Sequence, residues 1–118
     1  MARILILHEE SDCRELIKRV LAQKGYEVAA FAEEEEALSW TRSNLVDLAI
    51  VSLGSSAAEN QVWQHLKALR KELKVIVLTG YALKELAREA LRQGVDDYLL
   101  KPIDIELLET KVKNLERS

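Results

Sequence analysis

A chain of 118 residues with a formal net charge of −3 is long enough to close one hydrophobic core, and it has no Lys/Arg cluster interleaved with aromatics that would read as a nucleic-acid surface. Hydrophobic residues make up 48% and charged residues 31%, with four Gly and one Pro, which leaves little room for disordered linker and predicts one domain over residues 1–118. The apolar runs are too short to cross a membrane, and the single Arg before the short run in "MARILIL" makes no secretion signal, so a cytoplasmic chain without membrane contact is expected.

The first apolar run, "ILIL" (Ile4 to Leu7), is too short for a helix and predicts a buried strand. Leu16, Ile17, Val20 and Leu21 then repeat at helical spacing, with Ser11 placed to cap that helix, Glu15 in its first turns and Gly25 after its end. Cys13, three and four residues before Leu16 and Ile17, falls on the face the helix would bury; it reads as a core thiol rather than a reactive one, and as the lone Cys it forms no internal disulfide. "VAAF" (Val28 to Phe31) predicts the second strand, and "EEEE" (Glu33 to Glu36) sits where the dipole of a second helix, carrying Ala37, Leu38 and Trp40, favours anions.

"LAIV" (Leu48 to Val51) predicts a third strand buried on both faces, with Ser52 the first polar group at its end. Val62, Leu66 and Leu69 mark a third helix, on which His65 lies amid Gln64 and Lys67 as a solvated residue. Trp40 and Trp63 read equally as helix-face cover or as partner contacts. "VIVL" (Val75 to Leu78) is the fourth strand, Leu83, Leu86, Ala87, Ala90 and Leu91 mark a fourth helix closed by Gly94, and "YLL" (Tyr98 to Leu100) is the fifth strand. Leu107, Leu108, Val112 and Leu115 mark a fifth helix, and "KVKNLERS" ends it or leads into a linker.

Five strands alternating with five helices give an α/β class: a single doubly wound, five-stranded parallel sheet with right-handed crossovers and helices on both faces. In such a sheet the functional site lies at the carboxyl ends of the strands, next to the point where strand order reverses. The residues at those ends are His8, Glu9 and Glu10 after the first strand, Ser52 after the third, Thr79 and Gly80 after the fourth, and Lys101 followed by Pro102 after the fifth. Asp47 and Asp97 fall at strand starts, on the opposite edge.

The phrases "RILIL", "GYEV", "EEALSW", "VIVLTGYA" and "GVDDYLLKPI" make essentially the whole chain resemble the receiver domain of bacterial two-component response regulators, the last two being specific to that family. The resemblance implies a flavodoxin-like fold with strand order 2-1-3-4-5. It also implies a site in which an aspartate ending the third strand accepts a phosphoryl group from a histidine kinase, beside Mg²⁺ held by an acidic pair after the first strand. By position, Thr79 matches the family's hydroxyl residue, Lys101 its lysine, Pro102 the proline that follows and Tyr98 the aromatic switch residue. The acidic pair aligns with His8 and Glu9, the acceptor aligns with Ser52, and Ser56 stands where the family has a proline.

Those departures change the chemistry. A carboxylate attacks a phosphoryl group as it stands, whereas a serine hydroxyl needs a base, and His8 is the one candidate nearby. Mg²⁺ prefers oxygen ligands over imidazole. A family site of three acidic groups and a lysine carries about −2, whereas Glu9, Lys101, Ser52 and a neutral His8 sum to about zero at the ordinary pKa values. The expected arrangement is therefore Lys101 paired with Glu9, with Ser52 and Thr79 completing a hydrogen-bonded cluster in place of metal and phosphate. His8 and Glu9 are adjacent ligand types without a convergent third, so no metal site and no cofactor are expected. The function expected is a non-phosphorylated, non-enzymatic pseudo-receiver. Its partner would be a histidine kinase, an output domain, another regulator or a second copy, bound through the fourth helix, fifth strand and fifth helix around Tyr98. The alternative is a phospho-switch or phosphotransfer domain that uses Ser52 or a displaced carboxylate.

Overall fold

A computed structural model describes residues 2–54 and 59–116. Ser56, the position aligned with the family's proline, and the last two residues of "KVKNLERS" lie outside the described residues. The elements are β1 (Arg3–Leu7), α1 (Ser11–Gln23), β2 (Glu27–Phe31), α2 (Glu34–Ser43), β3 (Leu48–Ser52), α3 (Val62–Leu69), β4 (Lys74–Gly80), α4 (Lys84–Gln93), β5 (Asp97–Lys101) and α5 (Ile105–Glu116). Short 3₁₀ turns, Glu59–Gln61 and Tyr81–Leu83, precede α3 and α4. All strand pairs are parallel and the sheet order is β2-β1-β3-β4-β5, the expected doubly wound arrangement.

The strands run one or two residues past their apolar stretches because the hydrogen-bond ladder does not stop where hydropathy does: Ser52, Thr79 and Lys101 belong to the strands they were expected to follow. Past β1, His8 N still donates to Phe31 O at 3.1 Å, and past β3, Leu53 N donates to Leu78 O at 2.7 Å. The side-chain period of two sorts the central strands between two cores. Leu5, Leu7, Ala49, Val51, Val75 and Val77 face α2, α3 and α4, whereas Ile4, Ile6, Leu48, Ile50, Ile76 and Leu78 face α1 and α5. Every residue of β3 is buried, as its uninterrupted apolar run requires, while the edge strands β2 and β5 are half-buried.

Three local expectations are corrected. Ser11 is the first residue inside α1 rather than its cap; Glu10 holds that position without a side-chain capping bond, and its own N–H donates to the His8 ring. Leu16, Leu91 and Leu107 lie on helix faces that the sheet does not reach and remain about two-fifths exposed. Cys13 is half-buried rather than enclosed. The tryptophans separate: Trp63 is in the core of the α3 face, and Trp40 covers it from the margin, its ring 5.8 Å from that of Phe31. Gly25, one residue past the C-cap Lys24 of α1, and Gly94, directly after α4, both adopt positive φ, 95° and 129°, as helix-terminating glycines do.

At the amino edge of the sheet, Asp47 Oδ2 accepts the N–H of Arg3 at 2.8 Å, and Asp97 pairs with Lys111 at 2.8 Å. Asp96 Oδ2 accepts from Val75 N at 2.8 Å and from Lys67 Nζ at 3.1 Å. Asp47 thus joins the start of β3 to β1, and Asp96 and Asp97 join strands to helices, all away from the carboxyl edge. His65 is exposed on α3, its Nδ1 3.3 Å from Glu34.

Candidate functional site at the carboxyl edge

β1, β3, β4 and β5 end side by side and bring His8, Ser52, Thr79 and Lys101 to one edge of the sheet. The Lys101 side chain spans β4 and its Nζ donates to Ser52 Oγ on β3 at 2.9 Å. Among the described residues this contact replaces the expected Lys101–Glu9 ion pair. Glu9 points outward with its side chain 69% exposed, 3.9 Å from His8 Nδ1. A carboxylate that stays hydrated avoids the desolvation that pairing inside the half-buried edge would impose, and Ser52 satisfies the ammonium without that penalty.

Thr79 also departs from expectation. Its side chain is fully buried, but Oγ1 has no hydrogen-bond partner among the described residues, because Lys101 passes over β4 to reach Ser52. His8 is equally enclosed: its Nδ1 accepts the Glu10 N–H at 3.1 Å, which places the ring proton of the neutral form on Nε2, and Nε2 has no partner among the described residues. Burial, then the nearby Lys101 charge, lower the His8 pKa from its ordinary value, so the ring is neutral at pH 7. The edge thus gathers an ammonium, two hydroxyls and an imidazole N–H, a donor-rich set with its carboxylates outside.

That set does not fit Mg²⁺. The ion takes hard oxygen ligands in an octahedron and is usually anchored by carboxylates, whereas here the buried group is an imidazole and the β3 terminus is a neutral hydroxyl already holding a cation.

Two residues missed by motif reading shape the turn from β1 into α1. Arg14 Nη1 donates to the His8 carbonyl at 2.8 Å and ties the helix to the strand end. Cys13 comes close to His8 and Glu10, with one ligand-type atom from each within 4.8 Å of the others. The spacing His8, Glu10, Cys13 was the available signal, hidden because it depends on how the turn folds. Burial, then the Glu10 charge, push the Cys13 thiol above its ordinary pKa, which disfavours the reactive thiolate.

Tyr98, the residue at the switch position, is half-buried and packs against the α3-side core. Its hydrogen bond to Arg88 on α4, with the Glu85 charge, raises the pKa of that guanidinium. Pro102 follows through a cis peptide bond and is exposed.

Residues 4–113 match the family model described as the response regulator receiver domain. The chain is 28% identical over 111 residues to the transcriptional regulatory protein ZraR of Escherichia coli K12, covering 93% of this chain and 25% of that protein. It is 28% identical over 116 residues to the two-component response regulator PhoP of Pseudomonas aeruginosa, covering 98% of this chain and 52% of that one. The chain therefore spans between a quarter and about half the length of these curated relatives. Among solved structures, the response regulator TrrA of Thermotoga maritima, in complex with Mg²⁺-BeF, is 31% identical with a TM-score of 0.82, covering 98% of this chain and 99% of that one. A CheY-like receiver domain protein of Methanospirillum hungatei is 28% identical with a TM-score of 0.85, covering 99% and 95%. A parallel sheet of order 2-1-3-4-5, its lysine and hydroxyl residues at the carboxyl edge and a family match over nearly the full length agree: the chain belongs to the response regulator receiver domain family.

Proposed function

We propose that this domain is a pseudo-receiver, a cytoplasmic signalling module over residues 1–118 that works by protein contact and is not switched by phosphorylation. Receiver domains exchange signals with kinases, output domains or other regulators. In this one, His8, Glu9, Ser52, Thr79 and Lys101 are the vestige of a phospho-acceptor pocket. The observation that carries the reading is the Lys101–Ser52 bond beside a buried neutral His8: the acceptor position holds a hydroxyl that accepts from an ammonium, and the one lone pair of the neutral His8 ring is already taken by the Glu10 N–H, so the ring does not serve Ser52 as a base.

The contact surface in this reading is α4, β5 and α5. Leu91 and Leu107 are exposed on it, and a shallow cleft of about 380 Å³ between β5 and α5 is lined by Tyr98, Leu100, Pro102 and Leu107. β5 is also an open sheet edge, where side chains and backbone groups together can meet a partner or a second copy. Regulation then comes from what binds this face.

The test is incubation of the protein with a small phosphodonor and Mg²⁺, followed by intact-mass measurement. No adduct is expected. A stoichiometric, metal-dependent phosphoryl adduct overturns the reading, and one that is acid-stable but alkali-labile assigns it to Ser52 and the phospho-switch alternative.

A further inference from the structure

We propose that His8, Glu10 and Cys13 form a binding site for a zinc-class transition metal ion at the turn from β1 into α1. The inference does not depend on whether the domain is phosphorylated. It shares only His8 with the carboxyl-edge cluster and takes its other two ligands from the start of the helix.

The geometry supplies the convergent third ligand that the sequence pair His8 and Glu9 lacked. A ring nitrogen of His8, a carboxylate oxygen of Glu10 and the Cys13 sulfur all lie within 4.8 Å of one another. Nitrogen, sulfur and carboxylate oxygen in a set of three, with water in the fourth position, is a donor pattern that suits Zn²⁺ and rejects Mg²⁺. Ligand atoms around a tetrahedral Zn²⁺ stand roughly 3.3–3.8 Å apart at bond lengths of about 2.0–2.3 Å, so closure asks each pair to approach by at most about 1–1.5 Å. Glu10 is exposed and Cys13 half-buried, so both side chains have room to turn inward. His8 is the fixed member: its side chain is fully buried, and Arg14 holds its carbonyl at 2.8 Å.

The His8 ring also has unfilled capacity, since Nε2 is buried without a partner among the described residues. Metal on Nδ1 displaces the Glu10 N–H now bonded there, and metal on Nε2 moves the ring proton to Nδ1 with the same loss. Either way one backbone hydrogen bond is exchanged for the metal bond. The affinity is therefore expected to fall below that of closed four-ligand structural sites. The helix N-terminus opposes a cation, but the Glu10 carboxylate and a metal-bound Cys13 thiolate bring two negative charges against it.

The test uses reduced, metal-free protein titrated with Co²⁺ and then Zn²⁺. One equivalent of Co²⁺ is expected to give the intense visible bands of a tetrahedral site together with a thiolate charge-transfer band, both bleached by Zn²⁺. Cys13→Ser is expected to abolish the charge-transfer band and weaken Zn²⁺ binding about tenfold or more, at least what loss of an outer-shell partner costs. Glu10→Gln, an exposed change that leaves the fold alone, is expected to weaken Zn²⁺ as well. His65→Gln, at the separate His65–Glu34 contact, is expected to change nothing. Octahedral cobalt spectra only, or Zn²⁺ binding unaltered in both Cys13→Ser and Glu10→Gln with unchanged circular dichroism, overturns the proposal. Because a phosphodonor assay reads Ser52 and not Cys13, either failure here leaves the proposed function standing.

Discussion

Lys101 reaches across a whole strand to rest its ammonium on Ser52 Oγ, 2.9 Å away, and leaves Oγ1 of the fully buried Thr79 between them without a partner among the described residues. A cation held this way is satisfied by a neutral oxygen, so the edge has no need of an inward-facing carboxylate. The coupling is measurable. In a double-mutant cycle of Ser52→Ala and Lys101→Met, read by urea denaturation, the pair is expected to couple by about 1 kcal/mol, the size of a partly solvated hydrogen bond to a charged group. Additive effects of the two changes contradict the contact.

Restoring the acceptor alone is not expected to restore the metal. Ser52→Asp supplies one carboxylate, but the His8 imidazole still occupies the neighbouring corner, so Mg²⁺ titration by calorimetry is expected to show no saturation at millimolar ion. Adding His8→Asp to Ser52→Asp is expected to produce measurable Mg²⁺ binding. Tight binding by the single variant contradicts this account of the pocket.

His8 gives the fold a pH dependence whose sign follows from its depressed pKa. The unfolded ring titrates near 6.5 and the folded ring lower, so between the two values the unfolded state binds more protons. Stability is then full above the unfolded value and declines as pH falls through it. Thermal unfolding in chelator-containing buffer is expected to show Tm dropping between about pH 7.5 and pH 5.5, above the range where most carboxylates titrate. His8→Gln is expected to flatten that slope; an unchanged slope assigns it to other groups.

At the opposite edge, Asp96 accepts from the Val75 backbone and from Lys67, and so fastens β4 and α3 to the start of β5. Asp96→Ala strands a partly buried N–H and an ammonium, and is expected to cost about 1–3 kcal/mol in denaturant unfolding. Asp96→Asn, which keeps an acceptor for Val75, is expected to cost less.

The sheet was legible because its strands are uninterrupted apolar runs, which only a layer covered on both faces can bury, and the glycines after α1 and α4 marked real ends. Hydropathy could not show that Ser52, Thr79 and Lys101 belong to the strands, since ladder bonds ignore side-chain polarity. Nor could helical period tell how wide the buried stripe is, so Leu16, Leu91 and Leu107 were assigned to faces that the structure leaves open. At the site, the residue types gathered at the edge followed from topology. Which side chain meets which did not: Lys101 has two acceptors within the logic of the sequence, and hydration of Glu9 decides between them. The approach of Cys13 and Glu10 to His8 depends on the path of a three-residue turn, which no residue in it announces.

The alternation of the central strands between two separate cores sets a rule for length. Removing Ile50 from the middle of β3 would invert every side chain on one flank of the deletion, sending Leu48 toward α2 and α3 and Ala49 toward α1 and α5, or, on the other flank, Val51 toward α1 and α5. No local repacking mends an exchange of that kind. Insertions and deletions in this chain are therefore confined to its connecting segments, and the spacing that aligns Ser52 with Lys101 is protected by the demands of two cores rather than by any chemistry at the site.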